Sequence, residues 1–115
     1  MSSIFDKIKK RAAYPFKMVN GETVHLRSLT IGQLRELEPF KHDDAANGFA
    51  IGCCLLNDDL TPAFTREAGQ SAEDFGRSVS QQLDLPFDVF HPLVEMIFKL
   101  SNEPSEKASE AIVKN

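Results

Sequence analysis

The sequence predicts an α+β domain, mostly α, in which an N-terminal β-hairpin packs on a bundle of four to five short helices. Three observations carry that expectation. Residues 14–28 alternate apolar and polar side chains around an Asn20-Gly21 turn signal. Residues 30–101 hold apolar side chains at helical spacing, interrupted by capping and stop signals. A chain of 115 residues with 42% hydrophobic and 26% charged residues has the size and composition of one ordinary globular domain. The expected division is an amphipathic segment over 1–13, a single globular domain over 14–102 and a polar flexible tail over 103–115.

In the first segment, Ile4, Phe5 and Ile8 share one face of a short helix and the lysines the other. Such a basic amphipathic stretch can touch a membrane surface. Its shortness favours instead a frayed helix that packs two or three side chains.

The hairpin over 14–28 has two conceivable registers. A two-residue Asn20-Gly21 loop would pair Phe16 with His25 and divide the apolar residues between the faces. A three-residue Val19-Asn20-Gly21 loop pairs Met18 with Glu22 and Phe16 with Val24, which puts Tyr14, Phe16, Met18, Val24 and Leu26 on one face. The second is expected, because a slip of one residue turns the whole apolar face to solvent. Gly21 then takes the left-handed position of the loop.

The first helix is expected over about 30–38. Thr30 and Gln33 form a capping box, Leu29 and Leu34 flank it as a staple, and Ile31, Leu34 and Leu37 make a buried stripe. Glu38-Pro39 ends it, since a residue before proline avoids the helical region, and residues 40–43 serve as a connector. The second helix is expected over about 44–56, with an acidic start suited to the helix dipole. It is apolar over more than half its circumference, so it is either central in the domain or at a subunit interface. Gly48 and Gly52, four residues apart, point to close backbone packing.

Asn57-Asp58-Asp59-Leu60-Thr61-Pro62-Ala63-Phe64 reads as a turn. Its oxygens invite a calcium reading, but the loop has no glycine and carries a proline where calcium loops do not. The third helix, about 72–83, follows the capping signal Ser71 and Asp74 and holds Phe75, Val79 and Leu83 in phase. The last helical segment spans about 85–101 and carries Phe87, Phe90, Leu93, Val94, Ile97, Phe98 and Leu100. Pro92 is expected to divide it into a turn at 85–90 and a main helix from Pro92 onward.

The chemistry of sites is sparse. Cys53 and Cys54 are adjacent, so their side chains diverge by about 100° on a helix and neither pair nor chelate together; two small buried apolar residues are expected. His25, His42 and His91 have no metal-ligand spacing. There is no phosphate loop, no dinucleotide fingerprint and no nucleophile elbow. No enzyme, no cofactor and no metal are expected. The net charge of −4 argues against a nucleic-acid partner. The apolar run Ile51 to Leu56 is too short to span a bilayer, so no membrane is expected either. Met1-Ser2-Ser3-Ile4-Phe5-Asp6 lacks the apolar core of a secretory signal, which leaves a cytoplasmic expectation.

One layout carries a resemblance. A hairpin ends in Thr23-Val24-His25-Leu26-Arg27-Ser28-Leu29, and a capped helix Thr30-Ile31-Gly32-Gln33-Leu34-Arg35-Glu36-Leu37-Glu38 follows at once. An apolar helix ends in Cys53-Cys54-Leu55-Leu56-Asn57-Asp58-Asp59, the turn leads to Thr61-Pro62-Ala63-Phe64-Thr65, and helices close the domain at Ile97-Phe98-Lys99-Leu100-Ser101-Asn102. Over about residues 14–102 this resembles the tail assembly chaperones of long-tailed (siphovirus-like) bacteriophages. Their pattern runs as a strand with V-x-V-R-E-L, a helix, L-C-L-x-D-E-D-G-x-x-L-F-T, a helix and a closing I-x-x-L-N. Leu60 stands where that pattern has its turn glycine, and Ser28 where it has the strand-end glutamate.

The resemblance implies a protein that coats the phage tape measure protein, helps recruit the major tail tube protein and self-associates, through the hairpin edge or the wide second helix. It implies a place in the host cytoplasm and absence from the mature virion. In many such phages a frameshift adds a second domain to some copies, and this chain would be the short form. Phe49, Phe64, Phe87, Phe90 and Phe98 are the candidate partner-binding residues. Two other readings remain: a small structural tail or head completion protein retained in the virion, and a DNA-binding regulatory module, which the acidic balance disfavours.

Overall fold

The computed structural model describes Ile4 and residues 11–102. The amphipathic segment expected over 1–13 therefore lies almost wholly outside the described residues, and the polar tail over 103–115 wholly so. The described chain is α+β: a three-stranded antiparallel sheet and four α-helices.

Strands β1 (Tyr14–Lys17) and β2 (Thr23–Leu26) form the hairpin, with Phe16 opposite Val24 and Tyr14 opposite Leu26. The Met18 N–H donates to the Glu22 carbonyl at 2.8 Å and the Gly21 N–H to the Met18 carbonyl at 2.9 Å, closing the loop Val19-Asn20-Gly21. Gly21 sits at φ +90°, a conformation that a side chain would strain. This is the register that gathers the apolar residues on one face. Leu26 is fully buried, Phe16, Met18 and Val24 pack against the core, and Tyr14 lies at the exposed margin.

Helix α1 (Ile31–Leu37) begins with the expected capping box: Thr30 Oγ1 accepts from the Gln33 N–H at 3.1 Å, and Gln33 Oε1 accepts from the Thr30 N–H at 2.9 Å. Its buried stripe is narrower than expected. Leu37 is buried and Leu34 packs on the core, but Ile31 is 71% exposed. Position 31 is the first of the helix, and no described element covers it. The chain does not leave the helical region at Glu38-Pro39 as expected, since Glu38 keeps helical angles (φ −50°, ψ −45°), and Phe40 is not part of a plain connector. Glu38–Phe40 form a 3-10 turn with Pro39 at its start, and this turn drives Phe40 into the core.

Helix α2 (Asp44–Cys54) stops two residues short of the expected end. Leu55–Leu56 leave the helix as β3 and pair with β2, Leu55 opposite Leu26 and Leu56 opposite His25. The physical reason is the second edge of β2, whose buried backbone groups need partners. The same junction satisfies the end of α2: the Arg27 N–H donates to the Cys54 carbonyl, and Arg27 Nε to the Cys53 carbonyl, each at 3.0 Å. The apolar dipeptide suits either state, so only the neighbouring strand decides.

Helix α3 (Ala72–Leu83) starts at Ser71, whose hydroxyl accepts from the Asp74 N–H at 3.1 Å. It lies unusually close to α2. A Cβ on Gly48 would fall 2.0 Å from the Gly76 carbonyl oxygen, and one on Gly76 would fall 2.1 Å from the Ala45 carbonyl oxygen. Helix α4 (Phe87–Asn102) is continuous through Pro92, against the expected division. Leu93, Val94 and Ile97 are buried and Phe90 half-buried, in one stripe that keeps its phase across the proline. That packing outweighs the one hydrogen bond the proline removes. The far end of α4 is tied to the sheet side of the domain, where Ser101 Oγ accepts from the Leu29 N–H at 2.9 Å.

Candidate docking groove at the α3–α4 corner

The corner is built by two local devices. Asp84 closes α3 in the left-handed region (φ 41°, ψ 51°), its N–H donating to the Ser80 carbonyl at 3.0 Å. Aspartate tolerates that conformation better than most residues. Two residues later the Pro86 carbonyl accepts from the N–H groups of Val89 (3.0 Å) and Phe90 (2.9 Å) and starts α4. The reversal is therefore tight, and it leaves a cavity of about 330 Å³ where the end of α3, the start of α4 and the start of α2 meet.

The cavity is lined by Phe87, Phe90, His91 and Val94 from α4, by Leu85 and Asp84 from the corner, and by Asp44, Asn47 and Ser80 from α2 and α3. Phe87 is 75% exposed, the most exposed large apolar side chain on the described surface. It stacks on His91 with ring centroids 5.1 Å apart and planes 14° apart. His91 Nε2 lies 3.5 Å from Glu95 Oε2 on the next turn. The Ser80 hydroxyl is buried with no hydrogen-bond partner among the described residues and faces Gly48, with its oxygen 2.3 Å from where a Cβ would stand there. It is thus turned toward the helix interface. What the arrangement offers is an aromatic surface beside carboxylates.

The five phenylalanines named from sequence separate here. Phe87 and Phe90 come together in the groove. Phe49 is fully buried, edge-on to Phe40 (centroids 5.9 Å, 86°) and to Phe75 (6.2 Å, 90°), so it is a core residue with no surface to offer a partner. Phe64 is half-buried in a separate cavity of about 240 Å³ with Arg27, Cys53 and Phe75. Phe98 packs half-buried against the core. Asp44 and Asp84 were missed as groove residues. Asp44 read only as a favourable helix start, and the one signal for Asp84 was a left-handed-tolerant residue two positions before a proline.

Other sequence candidates have structural roles. Cys53 and Cys54 are buried and unpaired, and burial pushes their thiols up to about 11 and about 12. Both are thiols at neutral pH. In the turn after β3, Asp59 accepts from the Thr61 hydroxyl at 2.6 Å and from its N–H at 3.1 Å, which holds the Asp59 carboxyl below its ordinary range. Asn57 reaches Thr61 Oγ1 at 3.1 Å. No helix among the described residues is long and apolar enough to cross a membrane. Comparison with protein-family models, curated proteins and solved structures finds no match.

Proposed function

We propose that this chain is a tail assembly chaperone of a long-tailed bacteriophage, which binds the tape measure protein, helps recruit tail tube subunits in the host cytoplasm and is absent from the finished virion. The observation that carries the reading is the backbone of Leu60. It lies at φ +69°, where glycine is favoured, directly after Asn57-Asp58-Asp59. That is the position at which the pattern of those chaperones has its turn glycine, so the backbone here suits the residue of that pattern although leucine occupies it. The exposed Phe87 beside half-buried Phe90 supplies an apolar surface for an aggregation-prone client.

Of the two surfaces that the sequence offers for self-association, the described structure covers one and blunts the other. The apolar circumference of α2 is covered by the chain's own elements, its residues from Gly48 to Cys54 all being buried. At the free edge of the sheet, the register turns the backbone groups of Phe16 toward β2 and those of Pro15 outward. Proline has no N–H to give an added strand, which blunts that edge.

The test is co-expression with the tape measure protein encoded beside this gene. The expected result is that the tape measure protein stays soluble and co-purifies, and that Phe87→Asp abolishes this while circular dichroism shows the domain still folded. A tape measure protein that stays insoluble, with this chain recovered from mature particles, would instead make it a structural completion protein.

A further inference from the structure

We infer that the groove at the α3–α4 corner docks a basic amphipathic helix, one large apolar side chain entering beside Phe87 and Phe90 and a Lys or Arg one turn away meeting Asp44 and Asp84. The inference rests on the chaperone reading for the identity of the client, and it adds the client's conformation and the sign of its charge.

The charge argument is local. Among the described residues the groove is lined by the carboxylates of Asp44 and Asp84 and by no lysine or arginine. Its one other titratable group, His91, has its Nε2 3.5 Å from the Glu95 carboxylate. Arg77, one turn back on α3, is held away from this role by Asp43 at 3.3 Å and Glu73 at 3.0 Å. Among the described residues an incoming cation would therefore meet carboxylates with no lysine or arginine beside them, whereas an incoming anion would meet the repulsion of both carboxylates.

The conformation follows from what the groove lacks. Every residue lining it belongs to a helix or to the turn Asp84–Leu85 between two helices, so it presents no open strand edge. An extended peptide would bury unpaired backbone groups there, but a helix brings its own already satisfied. A helix also sets an apolar residue and a cation on the same face three or four positions apart. The volume of about 330 Å³ lies at the low end of ligand pockets, which run from about 300 to 1,000 Å³, so it suits one or two large side chains.

The test uses the full chain and two synthetic 18-residue helices with the same leucine face, one with lysine and one with glutamate on the polar face, each followed by fluorescence anisotropy at about 0.15 M salt. The lysine helix is expected to bind at least about tenfold more tightly than the glutamate helix. Phe87→Ser should weaken it about tenfold, and the double variant Asp44→Asn with Asp84→Asn about fivefold. Asp58→Asn, which removes the same type of charge from the distant turn, should leave it unchanged. Equal binding of the two helices, or an equal loss with Asp58→Asn, overturns the inference, since attraction would then be apolar only or a matter of net charge. If the lysine helix does not bind while the tape measure protein still co-purifies, the groove assignment falls and the chaperone reading stands. If the lysine helix binds as expected but the tape measure protein does not co-purify, the reverse holds.

Discussion

Helix α3 is sealed along its length and open at its end, and the two regions obey opposite rules. Along the α2–α3 interface the backbones approach until Gly48 and Gly76 have no space for a methyl group, and Phe49 is fully buried. At the α3–α4 corner, a few residues away, a cavity of about 330 Å³ remains and Phe87 is three-quarters exposed. Close packing at the first makes the second possible. A groove holds its shape without a ligand only when the elements that frame it are fixed by contacts elsewhere. The same residue type therefore does different work at the two places, and substitution separates them.

The largest effect is expected from treating the two phenylalanines alike. Phe49→Ala removes a fully buried ring that meets Phe40 and Phe75 edge-on, and should cost about 3–5 kcal/mol in urea denaturation. Phe87→Ala removes a ring already largely in water and should change stability by no more than about 0.5 kcal/mol. Comparable losses at the two sites would mean that the corner is as tightly held as the interface. Next in size is Gly48→Ala. Its new methyl would stand 2.0 Å from the Gly76 carbonyl oxygen and 2.3 Å from Ser80 Oγ, so the helices must part. A loss of about 1–3 kcal/mol is expected, and because Ser80 also lines the groove, the parting should be read there as weaker binding of the lysine helix.

How far this contrast could be seen in the sequence depends on the range of the forces involved. The hairpin register was legible because a slip of one residue would expose Phe16, Met18 and Val24 together. The starts of α1 and α3 were legible because Thr30 with Gln33, and Ser71 with Asp74, are contacts within one turn. The span of α3 followed from the phase of Phe75, Val79 and Leu83. What stayed hidden was decided at long range. Leu55–Leu56 became a strand because β2 had an edge to fill, and α4 ran through Pro92 because its buried stripe did. Ile31 fits a buried phase but is covered by no described element. Phe49 and Phe87 both sit on apolar helical faces, and only tertiary structure shows that one face is covered. The groove itself joins Asp44 to Asp84 across forty positions of sequence, and no spacing rule connects them.

A smaller effect than that of Gly48→Ala, with the opposite sign, concerns the other use of glycine. Gly48 and Gly76 serve for space, at ordinary helical backbone angles, whereas Leu60 occupies a left-handed position with no shortage of space, its side chain being half exposed. A leucine there carries a backbone strain of about 1–2 kcal/mol. Leu60→Gly releases that strain but returns part of it, since glycine gives the unfolded chain more freedom to lose, about 0.5–1 kcal/mol. The hydrogen bonds that hold the turn, Asn57 to Thr61 and Asp59 to Thr61, do not involve the leucine side chain and should persist. The expected balance is a gain of about 0.5–1 kcal/mol in urea denaturation. A net loss would show that the half-buried portion of Leu60 packs more strongly than the strain it brings, and the turn would then belong with the sealed interface and not with the open corner.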